Sequence, residues 1–151
     1  MENSGLGKTM RKRTPHFYLA ADSLLIVGRE VLLIQRKNEP FQGKWALPGG
    51  FVDPEEKIPD AAKRELLEET GITGVRFEEF GTYGDPGRDP RGRVVGVVYW
   101  AILPERPEAV AGDDAAKCQW FPLEGLPEMA FDHARILEDA RRRLAQSKDV
   151  S

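Results

Sequence analysis

A chain of 151 residues with 22 basic and 25 acidic side chains, formal net charge −3, has room for one domain and none to spare for a second. Its mild acidity excludes a chain-wide basic footprint for nucleic acid, and no stretch approaches membrane-spanning length. The single Cys118 excludes an intramolecular disulfide and any cysteine-based metal site, which fits a reducing, cytoplasmic setting and leaves Cys118 as a small core residue.

Residues 1–15 carry Lys8, Arg11, Lys12 and Arg13 without an apolar run, so a flexible arm is expected rather than a secretory signal. Gly5-Leu-Gly-Lys-Thr9 imitates a phosphate loop, but Glu2 stands where the first glycine is required and no strand precedes it. The single domain is expected over residues 16–147, with 148–151 as a tail. Within it, Phe17–Val27 and Val31–Gln35 are rich in apolar and β-branched residues and flank the turn Gly28-Arg29-Glu30, predicting a buried hairpin. A polar loop, Arg36 to Lys44, leads to Trp45-Ala-Leu-Pro48 and then Gly49-Gly50, where two glycines permit close backbone approach to a ligand or metal. Trp45 is expected in the core.

Residues 59–70 predict a helix. Pro59 suits its first turn, Asp60 its positive end, and Gly71 a left-handed cap. At 100° per residue, Glu65, Glu68 and Glu69 fall within an arc of about 100°. Like charges at this spacing repel, so a cation belongs beside them. Arg64 can neutralise one carboxylate, and the hard all-oxygen cluster suits Mg²⁺, with Mn²⁺ as the alternative.

Val75–Gly81 predicts a strand with Glu78 and Glu79 towards solvent. The following Tyr83–Arg93 segment, with two prolines and three glycines, predicts a loop that concentrates Arg88, Arg91 and Arg93, whose forks match phosphate oxygens. Val94–Leu103 is nearly all apolar, as expected of the sheet's middle strand covered on both faces. Asp113-Asp114 precede a short strand at Lys117–Phe121. The final helix is predicted from Phe131 to Leu144, with Ile136, Leu137, Ala140 and Leu144 as its buried stripe and Asp132 as its cap.

Gly50, Glu56, Arg64-Glu65-Leu66, Glu68-Glu69 and Gly71-Ile72 stand at spacings that resemble the Nudix box at every specified position. That resemblance implies an α/β/α sandwich with a mixed sheet between helices. It also implies hydrolysis of a nucleoside diphosphate linked to another moiety, with metal held by Glu65, Glu68 and Glu69, by the Gly49 carbonyl, and by Glu56 as ligand or outer support. An acidic residue beyond the box, Asp114 before Asp113, is the expected base or further ligand. Pro86-Gly-Arg-Asp-Pro-Arg-Gly92 and Ala130-Phe-Asp-His133 resemble a narrower group, the ADP-ribose pyrophosphatase-like Nudix proteins. The expected substrate contacts are Arg36, Arg88, Arg91, Arg93, Phe131 and His133, and the expected reaction is ADP-ribose plus water giving AMP and ribose 5-phosphate. Rival expectations are a Nudix enzyme acting on oxidised nucleoside triphosphates or another nucleotide sugar, and a non-catalytic nucleotide sensor. Against the sensor stand the full set of box carboxylates and a chain that ends soon after its last helix. The expected partner is a small nucleotide, with neither nucleic acid nor membrane, and a homodimer is left open.

Overall fold

The computed structural model describes residues 16–112 and 115–150. The proposed phosphate-loop imitation and arm in residues 1–15, and the Asp113-Asp114 pair, lie outside the described residues.

Strands β1 (Phe17–Val27) and β2 (Glu30–Arg36) form the hairpin, with Gly28 at φ 60° in its turn. They pair only at Ile26–Val31 and Val27–Glu30 and then diverge. The chain from Trp45 to Phe51 runs into the gap. Strand β3 (Trp45–Ala46) pairs with β2, β4 (Gly49–Phe51) pairs with β1, and between them the Pro48 carbonyl accepts the Ser23 amide at 2.8 Å. This splayed hairpin opens the sheet where the two adjacent glycines lie.

Beyond β1, strand β6 (Arg93–Leu103) runs parallel along the full length of β1, and β5 (Glu78–Tyr83) closes that side antiparallel to β6. Strand β7 (Ala115–Pro122) pairs antiparallel with β2 on the other side. The sheet is therefore mixed, and helices α1 (Ile58–Thr70) and α2 (His133–Val150) cover opposite faces. Successive strand residues point to opposite faces, so Leu24, Ile26, Val31, Leu33 and Val98 pack with Ile136, Leu137 and Ala140 of α2. Leu25, Leu32 and Ala101 pack with Leu66 of α1, and Ala21 and Tyr99 with Ala61 and Ala62. Burial on both faces is why these strands read as continuous apolar runs.

Helix α1 begins after the extended Lys57, with proline in its first turn and no side-chain cap, and ends at Gly71, φ 77°, whose amide donates to the Leu67 carbonyl. Its carboxylates thus ride on an element bounded close to the sequence expectation.

Three expectations shift. The middle strand of the β3-β2-β1-β6-β5 path is β1 rather than β6, because β1 also receives β4. The strand expected at Val75–Gly81 lies at Glu78–Tyr83: Gly81 sits within it, at a register shift after Glu79, while Val75 and Phe77 pack beside α1 before the strand begins. Helix α2 starts at His133 and not at Phe131, whose φ of 54° is incompatible with a right-handed helix, and it runs past Leu144 to Val150. Among the described residues, no helix is long and apolar enough to cross a membrane.

Candidate active site

On α1 the guanidinium of Arg64 sits among the expected metal ligands. Its Nε and Nη2 donate to Glu56 at 2.6 and 2.9 Å, and its Nη1 donates to Glu65 at 3.0 Å and Glu68 at 3.2 Å. Nη2 also reaches the Phe51 carbonyl at 3.1 Å, which ties the helix to the end of β4. Hydrogen bonding to Arg64, then to the Asp53 amide, holds the Glu56 carboxyl down to about 2, and the same contacts raise the pKa of Arg64.

Glu69, buried at the end of α1, accepts the Gly49 amide at 2.8 Å. This bond joins the acidic helix to the glycine pair. A side chain at Gly49 would meet backbone, its Cβ lying 2.6 Å from the Ala21 carbonyl oxygen and 1.9 Å from Asp22 Oδ1, whereas a Cβ at Gly50 would lie 2.3 Å from Oε2 of the Glu65 side chain. Glu69, Gly49, Gly50 and Phe51 form one wall of a pocket in the mouth of the splayed hairpin.

The rest of the lining is largely basic and aromatic, with Asp22 and Asp89 among it. Arg36 lies over the Phe131 ring at 5.0 Å from its centroid, and Arg91 lies over Phe131 at 5.3 Å and Phe51 at 4.7 Å. Arg36 is anchored by donating to the Pro40 carbonyl at 2.6 Å, and Arg91 by Asp89, which accepts its amide, Nε and Nη2. Burial, followed by the nearby charge of Arg91, lowers the pKa of Arg36. Two cations gathered on one ring therefore favour an anion between them. Phe131 and its edge-on neighbour Phe41 both have left-handed backbones, φ 54° and 63°, a strain that recurs at ligand sites.

Two buried titratable groups complete the pocket. His133 is 5% exposed, and its Nδ1 accepts the Leu47 amide at 3.0 Å; burial pulls its pKa down to about 4. Asp22 on β1 is 6% exposed, and burial pushes its carboxyl up to about 7 against the opposing pull of Arg88.

The structure brings Gly49, Glu69, Arg36, Arg88, Arg91, Phe131 and His133 to one pocket, with Glu56, Arg64, Glu65 and Glu68 clustered beside it. The three loop arginines diverge. Arg88, with its side chain 5% exposed, gives Nε and Nη2 to Asp132, so Asp132 is a tether for this loop as well as the start of α2. Arg93 instead donates to the Gly84 carbonyl and stacks on Phe17. Sequence reading passed over Asp22, Asp89 and Phe51. For Asp22 a signal existed: it is the one charged residue in the apolar run Phe17–Val27.

The donor chemistry fits a hard divalent ion. Three carboxylates share one guanidinium, leaving net negative charge, and all the donors are oxygens. Among the described residues, no three acidic groups stand in a ready metal-binding arrangement, so an ion recruiting Glu65 and Glu68 does so in competition with Arg64.

A NUDIX domain family model matches residues 17–140, and the chain belongs to the Nudix family. It is 44% identical over 127 residues, 84% of this chain and 75% of the relative, to an ADP-ribose pyrophosphatase of Methanocaldococcus jannaschii. It is 40% identical over 119 residues, 76% of this chain but 48% of the relative, to the ADPR responsive transcriptional repressor NtrR of Acinetobacter baylyi. Among solved structures, the NUDIX domain of Shewanella oneidensis NrtR complexed with ADP ribose aligns with a TM-score of 0.80 at 32% identity, covering 91% of this chain and 97% of that one.

Proposed function

We propose that this protein is a divalent-metal-dependent Nudix pyrophosphatase that hydrolyses ADP-ribose to AMP and ribose 5-phosphate. The observation that carries the reading is that one pocket joins the acidic helix to two guanidiniums. Glu69 reaches it from α1 through the Glu69–Gly49 bond, while Arg36 and Arg91 converge on the Phe131 ring. A diphosphate bridging a cation and two guanidiniums suits this lining. The pyrophosphatase and ADP-ribose-bound relatives support the choice of substrate.

Glu65, Glu68 and Glu69, with the Gly49 carbonyl and Glu56, would hold Mg²⁺, or Mn²⁺ in its place. Held there, the ion would supply charge neutralisation for a leaving phosphate and a lowered pKa for bound water. Arg36 and Arg91 grip phosphate oxygens, and Phe51 and Phe131 supply apolar faces beside them. Asp114 is the proposed base. A cytoplasmic setting belongs to the same reading.

The test is a turnover panel of ADP-ribose, NADH, diadenosine polyphosphates and nucleoside triphosphates with Mg²⁺, with products separated by chromatography. ADP-ribose should be the preferred substrate, and Glu69→Gln should lower its turnover at least about a hundredfold. Faster hydrolysis of a triphosphate would transfer the chain to another substrate class. The likeness to the ADPR responsive repressor supports a second reading, a sensor, which tight ADP-ribose binding without turnover would favour.

A further inference from the structure

Asp22 is a charged residue on a face of β1 that otherwise buries Leu24 and Ile26 against α2. No packing pattern calls for a carboxylate there. Among the described residues, no hydrogen bond or ion pair within ordinary distance reaches its oxygens, although its side chain lines the pocket. Its carboxylate occupies the space that two glycines leave open: Oδ1 lies 1.9 Å from where a Cβ of Gly49 would be, and Oδ2 lies 3.5 Å from where a Cβ of Gly96 would be. The nearest cation, Arg88, has already given Nε and Nη2 to Asp132, and its Nη1 faces the Val94 carbonyl at 3.5 Å. A buried carboxylate without a donor is costly, and a ligand that supplies one recovers that cost on binding.

An ionised carboxylate accepts hydrogen bonds and repels anions. Asp22 is packed against Gly49, the residue through which the acidic helix meets the pocket, so the part of a ligand it faces lies next to the diphosphate. On the side of the diphosphate away from the nucleoside, a sugar-linked diphosphate presents sugar hydroxyl donors, whereas a nucleoside triphosphate presents a further phosphate. We propose that Asp22 accepts a hydrogen bond from a hydroxyl of this terminal sugar, and thereby selects sugar-linked diphosphates over nucleoside triphosphates. This rests on the functional reading above and adds a specificity-determining residue to it.

The experiment, run at about pH 8.5 where the Asp22 carboxyl is ionised, compares the parent, Asp22→Asn and Asp22→Ala with ADP-ribose and ATP, in steady-state kinetics with Mg²⁺ and in calorimetric binding without metal. Asp22→Ala should raise KM and Kd for ADP-ribose by about ten- to a hundredfold, the range for a hydrogen bond to a charged group, and raise KM more than it lowers kcat. Both variants should bind ATP at least as well as the parent, so the preference for ADP-ribose falls at least about tenfold. Asp22→Asn keeps the shape of the side chain, and its melting temperature checks that the fold is intact. An unchanged ADP-ribose to ATP ratio in a folded Asp22→Asn protein overturns the proposal and leaves Asp22 a structural residue. A parent that binds but does not hydrolyse ADP-ribose overturns the enzymatic reading alone, because the binding ratio still reports on Asp22.

Discussion

His133 is neutral in the fold because burial outweighs the pull of Asp132, and neutrality lets Nδ1 accept the Leu47 amide. With a folded pKa of about 4 against an ordinary 6.5, the unfolded chain binds the proton first as pH falls. The sign is therefore destabilising on acidification, complete below about pH 4, and worth on the order of 3 kcal/mol. Asp22, raised to about 7, acts in the opposite sense, favouring the fold as pH falls, so the comparison must be with a variant. His133→Asn keeps an acceptor but removes the titration; between pH 6.5 and 4 it should lose less stability than the parent in chemical denaturation. Equal losses would mean that His133 does not carry the acid sensitivity. Two of the pocket arginines, Arg88 and Arg91, should also separate. Arg88→Ala strips a nearly buried partner from Asp132 and should cost about 3–5 kcal/mol of stability. Arg91→Ala, at a half-exposed position facing Phe131, should chiefly raise KM for ADP-ribose. Melting curves and kinetics of the two variants check this, and a destabilised Arg91→Ala with parental KM would reverse the assignment.

At the scale of elements, the last turn of α1 is positioned from outside the helix. The Gly112 amide donates to the Glu69 carbonyl, the Val110 amide donates to the Thr70 carbonyl, and a Cβ at Gly112 would lie 1.7 Å from the Glu68 carbonyl oxygen. The chain leading towards β7 is thus seated on the turn that carries Glu68 and Glu69. Gly112→Ala must push the two apart, at a cost of about 1–3 kcal/mol typical of overpacking, and should lower turnover through displaced carboxylates. Melting and kcat should fall together. A variant with parental stability and turnover would show that this contact does not position the site.

At the scale of the molecule, the carboxylates of α1 and the guanidiniums of Arg36 and Arg91 gather at the mouth of a splayed hairpin, so the fold presents groups for both a cation and an anion. An ion that binds only the folded state stabilises it: at about a hundred times its Kd the gain is about 2.7 kcal/mol, or roughly 5–10 °C in Tm for a domain of this size. Millimolar Mg²⁺ or Mn²⁺ should therefore raise the melting temperature, chelation should reverse the rise, and Glu65→Gln or Glu69→Gln should remove most of it. No shift with any divalent ion would refute the assignment of these carboxylates to a metal.

Much of this was legible in the chain itself. The 3.6-residue period places Glu65, Glu68 and Glu69 on one side of α1 whatever surrounds it, and Pro59 and Gly71 mark its ends by their own backbone preferences. The apolar runs of β1 and β2 announced buried strands, and that of β6 a strand covered on both faces, because that is the composition such burial requires. Local period carries no information about which distant group arrives. That β4 docks beside β1, that Glu69 receives the Gly49 amide, and that Asp132 takes Nε and Nη2 of Arg88 depend on contacts between residues 20 to 44 positions apart. The same holds for Asp22: its place in an apolar strand is visible in the sequence. Its approach to Gly49 and to the space beside Gly96 exists only once β4 and β6 have docked on either side of β1. Side-chain spacing within a helix is set by covalent geometry, whereas the pocket is made by packing, and only the tertiary structure decides packing.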